Sequence, residues 1–408
     1  MRWHRVVGLV CALGCAASAP LADAPRVRPG IEVLLADSAH LIAGQRLALL
    51  TNHTGVDRQG RRAIDLVRAA HGARLTVLYS PEHGLQGTED RMGLPDGRDS
   101  ATGLPIYSLY GGSRTAARAA VDSFDVLLVD LQDVGARYFT YIRFAASLMR
   151  DATRRGKRVV ILDRPNPVGG RLVQGNVRTD VAEPDSVPVG FLPIAMRHGM
   201  TMGEMARMAN DVLAIGADLH VVPAAGWTRD RLYDETGLPW VKPSPNMPDL
   251  ESALHYSGVC LFEGTTLSVG RGTDFAFQVI GAPWVDPDAV LRRLPAAALV
   301  GVDVRAATFT PRNPTDGKYD GVRLRGLRFR VTDRDQYDPT HLAVALLVAL
   351  RAAHPDSARF IARSFDRLAA GGELRAAIAA GRGAEEIWRG WTEALERFRG
   401  ARAKYLLY

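Results

Sequence analysis

A chain of 408 residues, 47% apolar and 23% charged, is too long for one small core and has the composition of a folded globular protein rather than a disordered or fibrous one. Its formal charge of +7 comes from 51 basic and 44 acidic residues interspersed along the chain; with no basic run or aromatic-basic interleaving, a nucleic-acid partner is not expected. The three cysteines exclude a disulfide framework, because Cys11 and Cys15 lie in the first segment and Cys260 stands alone.

Residues 1–24 read as a secretory signal: Arg2 and Arg5 begin it, 6–19 is apolar, and small residues follow. The apolar run is about 14 residues, short of the ~20 that cross a bilayer, and no later stretch reaches that length. Export to a periplasm or beyond is therefore expected, without a transmembrane segment. Ala12-Leu13-Gly14-Cys15 resembles a lipoprotein signal imperfectly, with alanine where a larger aliphatic residue is usual, so a lipid anchor is not expected.

From residue 25 apolar runs alternate with amphipathic stretches. Strands are predicted over 46–50, 75–79, 106–109, 125–130 and 158–163, and helices over 63–71, 115–121 and 139–155, which makes a doubly wound α/β domain with a parallel sheet. A helix over 202–213 follows, with Thr201 and Glu204 at capping-box spacing, then a strand over 219–222. The proline-rich segment 240–248 can be neither helix nor central strand and reads as an ordered loop between units, over the cleft. Residues 258–262 read as an apolar strand in which Cys260 is a small core residue. From about residue 285 the signals become α+β: strands over 302–308 and 322–331, helices over 341–352 and 385–402, and a core-facing stripe of Trp388, Trp391, Leu395 and Phe398. The expected division is a signal over 1–24, a catalytic domain over 25–250 and a C-terminal domain over 251–408.

Open parallel sheets bind ligands outside the carboxyl ends of their strands. Four predicted strands end there in polar loops: Thr51-Asn52-His53-Thr54-Gly55, Ser80-Pro81-Glu82-His83-Gly84-Leu85-Gln86-Gly87, Asp130 to Tyr138, and Asp163-Arg164-Pro165-Asn166-Pro167. Glu82, His83 and Glu89 bring carboxylates and an imidazole to a glycine-rich turn. Asp130, Gln132, Asp133, Arg137, Tyr138 and Tyr141 combine planar polar groups with aromatic rings, as sugar sites do; the alternative is an internal ion pair of Asp130 or Asp133 with Arg137. Asp163 and Asn166 would bind substrate, orient Glu82, or only shape a turn. Asn52 and His53 are further substrate-binding candidates.

Nucleotide binding is not expected, since neither a phosphate-loop nor a dinucleotide fingerprint occurs, and no Gly-x-Ser-x-Gly elbow marks a serine hydrolase. His53, His83, Glu82, Glu89 and Asp130 could gather around a divalent ion, but no fixed ligand spacing supports it, and no metal or cofactor is expected. The glycine-rich segment from Glu263 to Asp274 instead presents Arg271, whose fork suits a carboxylate.

Taken together, Pro81-Glu82-His83-Gly84-Leu85-Gln86-Gly87, the loop from Asp130 to Tyr138, Asp163-Arg164-Pro165-Asn166-Pro167, Arg197-His198-Gly199-Met200-Thr201, Pro243-Ser244-Pro245-Asn246-Met247-Pro248, and Glu263-Gly264-Thr265 through Gly270-Arg271-Gly272-Thr273 resemble the NamZ-type exo-β-N-acetylmuramidases, from about residue 30 to the closing Tyr408. The resemblance implies a Rossmann-like domain with a smaller C-terminal α+β domain and a cleft between them. It also implies a glycoside hydrolase that releases N-acetylmuramic acid from the non-reducing ends of peptidoglycan fragments, in wall turnover and recycling. Its partners would be muramyl saccharides. By motif, Glu82 is the catalytic acid, and Glu89, Asp130 and Asp163 are candidates for a second group. Arg137 or Arg271 would meet the lactyl carboxylate. Thr265-Thr266 and Asp274-Phe275-Ala276-Phe277 depart from the expected pattern but leave Glu263 and Arg271 in place. The same cleft could also serve a non-catalytic exported wall-sugar binding protein or a metal-dependent hydrolase.

Overall fold

The structure, a computed structural model, describes residues 26–91 and 93–408; the expected signal lies outside them. The strands are β1 (Arg46–Thr51), β2 (Arg74–Ser80), β3 (Gly97–Arg98), β4 (Pro105–Ser108), β5 (Val126–Asp130), β6 (Arg158–Leu162), β7 (Gln174–Val177), β8 (Ala195–Arg197), β9 (Leu219–Val222), β10 (Val279–Ala282), β11 (Val302–Phe309) and β12 (Leu324–Val331). Seven of them form one sheet in the order β3-β4-β2-β1-β5-β6-β9, parallel except where β3 runs against β4. Counted along the chain, its parallel strands lie in the order third, second, first, fourth, fifth, sixth, the Rossmann arrangement, whose switch point falls between β1 and β5.

Strand alternation explains the two layers. Leu47 and Leu49 of β1 face Ile31 and Leu34 of α1 (Gly30–Asp37) and Ile64 and Val67 of α2 (Ala63–Ala69). Ala48 and Leu50 face the opposite core, which holds Ala117 of α3 (Arg114–Ala119), Phe144 and Leu148 of α4 (Tyr141–Thr153), and Met205 of α5 (Met202–Val212). The capping box at α5 forms as its spacing predicts: the Thr201 amide donates to Glu204 Oε2 at 3.0 Å, and the Glu204 amide to Thr201 Oγ1 at 3.3 Å.

The C-terminal part holds the antiparallel sheet β10-β12-β11 and the helices α6 (Leu250–Val259), α7 (Pro287–Leu291), α8 (Pro339–Ala353), α9 (Ala362–Ala369), α10 (Glu373–Ala379), α11 (Ala384–Arg389) and α12 (Thr392–Arg402). Two expectations fail here. Residues 258–262 end α6 and begin a 3-10 turn instead of forming a strand, since Asp249 caps α6 through the Ser252 amide at 2.9 Å. A short apolar run does not separate a strand from a buried helix end, and Gly258 lets α6 approach α8 so closely that a Cβ would lie 1.9 Å from the Pro339 carbonyl oxygen. The helix over 385–402 is broken at Gly390 into α11 and α12. Of its stripe, Trp388 and Phe398 are buried, with Trp391 and Leu395 partly so. Cys260 is a buried free thiol, pushed well up by burial. Among the described residues no helix is long and apolar enough to cross a membrane.

Candidate active site

The loops after β1, β2, β5 and β6 gather at the switch point. Thr51, paired in register with Asp130, donates to the Asp130 carbonyl at 2.9 Å. Asn52 donates to the Tyr141 hydroxyl at 2.9 Å, and that hydroxyl donates to the Pro243 carbonyl at 2.7 Å. His53 Nε2 lies 2.6 Å from the Lys242 carbonyl, so Nε2 carries the proton and Nδ1 is left as a buried acceptor with no partner. Burial lowers the His53 pKa, which keeps the ring neutral. The proline-rich segment thus lies against the strand-end loops.

Glu82 is partly buried, two residues beyond the end of β2. Its Oε2 accepts a 2.6 Å bond from the Thr140 hydroxyl at the start of α4, and the Tyr110 phenol lies within hydrogen-bonding reach of the carboxyl. Burial and then the Glu82 charge push that phenol above its ordinary range. The next residue, His83, sits at φ 70°, an uncommon backbone for a residue with a side chain. That turn aims its Nδ1 at the Glu89 carbonyl, 2.8 Å away.

A second cluster joins this loop to the C-terminal part. Arg271 donates to Glu263 Oε1 through Nε at 2.7 Å and Nη2 at 2.6 Å, and reaches Asp90 Oδ2 at 3.3 Å. Asn246 of the proline-rich loop donates to the same Asp90 oxygen at 2.7 Å, and the other oxygen lies 3.6 Å from His83 Nδ1. Burial opposes the Asp90 charge, but the Thr315 hydrogen bond and the Arg271 charge hold it below the usual carboxylate range. Lys318 binds the carbonyls of Glu263, Thr265 and Leu267 at 2.8–3.1 Å, fixing the segment that presents Arg271.

Other candidates lie beneath this surface. Asp130 is fully buried, and its ion-pair partner is Arg164, not Arg137, with contacts of 2.5 and 3.0 Å. Burial pushes Asp130 up while the guanidinium pulls it down, and Arg164 itself ends above its ordinary range despite burial. The two-pronged contact favours the charged pair. Asp163 accepts from the Thr201 hydroxyl, the Gly203 amide and the Tyr408 hydroxyl at 2.6–2.8 Å. Gln132 bonds the carbonyls of Asp133 and Pro165, Asp133 accepts from the Gly135 amide, and Asn166 braces its own turn through the Val168 amide and Met200 carbonyl. Gln132 Oε1 and Asp133 Oδ2 remain buried without partners.

Arg137 is buried, and its guanidinium is taken up by Asn176 and the carbonyls of Ile194 and Leu368. It does not line the site, and neither does the buried Tyr138, whose hydroxyl donates to the Ser257 carbonyl. Glu89 points outward to Arg91 at 2.9 Å. The five residues weighed as metal ligands do not converge, since Asp130 and Glu89 turn to these separate arginines. Tyr110, Thr140, Arg143 and Lys318 stand outside every motif that pointed to the site, while Asn246 lies within the proline-rich one. Thr140 stands at the N-cap of α4 and makes no capping bond there, which leaves its hydroxyl for Glu82.

Residues 47–251 match the family described as exo-β-N-acetylmuramidase NamZ, N-terminal, and residues 254–408 match its C-terminal counterpart. The chain belongs to the NamZ family. It is 38% identical over 391 residues to the peptidoglycan β-N-acetylmuramidase NamZ of Bacillus subtilis (strain 168), covering 95% of this chain and 92% of that protein. Two crystal structures of DUF1343 family proteins from Bacteroides fragilis NCTC 9343 share its fold. One is 32% identical with a TM-score of 0.84, the other 31% identical with a TM-score of 0.74; each comparison covers 94% of this chain and 99% of the other. In NamZ terms, both matched blocks supply the site: Glu82, His83 and Asp90 come from the first, and Glu263 and Arg271 from the second.

Proposed function

We propose that this protein is an exo-acting β-N-acetylmuramidase, a glycosidase that releases N-acetylmuramic acid from the non-reducing ends of peptidoglycan fragments during wall turnover and recycling. The observation that carries the reading is the Glu82 carboxyl, partly buried in a NamZ-family chain and held at one oxygen by Thr140 at 2.6 Å. Thr140 and the Tyr110 phenol together orient the carboxyl that carries the transferable proton. Glu82 gives that proton to the glycosidic oxygen as the bond to C1 breaks, and the carboxylate then takes a proton from the incoming water.

The second group is read from which carboxyls are available. Asp130 and Asp163 are buried in their own hydrogen bonds, Glu89 pairs with Arg91, and Asp90 and Glu263 share Arg271. We therefore infer that the nucleophile is the 2-acetamido oxygen of the substrate itself, which closes on C1 and is opened by water with overall retention. An exported protein acting on wall fragments outside the cytoplasmic membrane fits the basic and apolar leader.

Replacing Glu82 by Gln keeps the size and removes the acid. Assayed on a chromogenic β-N-acetylmuramide, the variant is expected to lose about 10²–10⁴-fold in kcat with its melting temperature preserved. Turnover near that of wild type would remove Glu82 from the role. The anomer formed first, followed by NMR, should be β; initial α product would overturn substrate assistance.

A further inference from the structure

The muramyl unit carries a carboxylate on its lactyl ether, and a site selective for it needs a cation that is not already spent. Arg137 is occupied by carbonyls and Arg271 by two carboxylates, so both expected partners are committed elsewhere. Arg143 differs from them. It lies on the first turn of α4, its amide bonded to the Thr140 carbonyl at 2.9 Å, and Thr140 is the residue that holds Glu82. Residues three apart on a helix share a face, so the turn that fixes the acid also places this guanidinium. The guanidinium is within electrostatic range of both Glu82 and Tyr110.

Among the described residues Arg143 forms no ion pair; its bond is a 3.3 Å contact from Nη1 to the Val187 carbonyl, and Nε is buried without a partner. Asp185 draws on it electrostatically, but the oxygens of Asp185 are bonded to Arg114 and Ser147. The guanidinium lies 4.6 Å from the Phe144 ring centroid, and that ring meets Tyr110 edge-on at 6.1 Å. The two rings form a shelf that limits its rotation. Beside it is a hollow of about 70 Å³, lined by Leu109 and Phe144 and by the charged side chains of Arg114, Arg118, Asp151 and Asp185, with space for a small group and not for a sugar ring. Partial burial disfavours an unpaired charge, so the site gains by receiving an anion.

We propose that Arg143 is the specificity residue of the muramidase site, pairing with the lactyl carboxylate of the sugar whose glycosidic oxygen Glu82 protonates. The assignment rests on the muramidase reading and adds a recognition partner to it.

The test compares a chromogenic β-N-acetylmuramide with its lactyl methyl ester, which keeps the shape and loses the charge. For wild type kcat/KM should favour the acid strongly; in Arg143→Gln that acid-over-ester preference should fall roughly 100-fold, and Arg143→Lys should restore part of it. A merely structural role for Arg143 would lower both substrates together and leave the ratio unchanged, which would overturn the proposal. Arg137→Gln is the control for a buried arginine and should leave the ratio intact. Should wild type cleave no muramide, the muramidase reading fails first. Calorimetry with N-acetylmuramic acid and N-acetylglucosamine then decides: binding that favours the acid and loses that bias in Arg143→Gln sustains the carboxylate site, and equal binding of the two sugars sinks it.

Discussion

At the scale of single residues, the floor of the cleft is held by buried charges whose worth depends on their partners. Arg164 and Asp130 are both almost wholly shielded from water. Arg164→Met would leave a buried carboxylate uncompensated, and urea unfolding should show a loss of about 3–5 kcal/mol. Adding Asp130→Leu should recover much of it, because the penalty belongs to the orphaned charge. Asp163 gives a pH signature. Burial lifts it from 3.8 to about 6 against its three hydrogen bonds, so the folded state binds the proton more tightly than the unfolded chain. Its stabilisation is complete below about pH 4 and is lost as the pH rises through about 6. The gap in unfolding free energy between wild type and Asp163→Asn should accordingly shrink between pH 5 and 7.5; a gap that widens would contradict the assignment. Glu82 was legible in the sequence because a buried strand runs straight into it. The partner of Asp130 was not, since it depends on β5 lying beside β6, and Arg137, close in sequence, looked as suitable.

Elements show why strand ends were easier to read than helix faces. Period-two apolar runs located the main strands and hence the loops beyond them, and parallel order then placed those loops together. Near residue 260 the same rule misled, because a helix end buried on all sides has no period to detect. The loop after β2 also depends on a fit that only coordinates show. Gly87 has φ +69°, and a Cβ there would stand 1.8 Å from His53 Cε1. Gly87→Ala should displace His53 from the Lys242 carbonyl, lowering both melting temperature and kcat/KM. Gly60→Ala, at φ +76° with nothing within 4 Å of the added carbon, should cost only the backbone strain of about 1 kcal/mol and spare activity. Equal effects in the two variants would mean that strain, and not the His53 contact, governs the loop. Thr140→Val should lower kcat about tenfold with little change in KM, since it releases the acid and not the sugar.

Across the whole molecule, one hydrophobic cluster runs from Ala48 and Leu50 of β1 through α4 and α5 into α6, α8 and the C-terminal helices. The two matched sequence blocks meet at residues 251 and 254, inside α6. A cut there would divide a helix and bare the cluster on both sides. Calorimetry should therefore record a single unfolding transition, and neither half should be recovered folded; two separated transitions would show independent units. The sequence revealed the change from α/β to α+β patterning, but a shared core has no local pattern and could not be read from it. That continuity has a consequence for turnover. A hinge between the halves would have to shear packed side chains, so access to Glu82 falls to the short segments around 82–91 and 240–248, tied by Asp90 to Asn246 and Arg271. Motion of such short segments reaches into the microseconds, shorter than the millisecond-to-second turnover of a typical enzyme. Raising solvent viscosity should then leave kcat nearly unchanged, with bond breaking setting the pace.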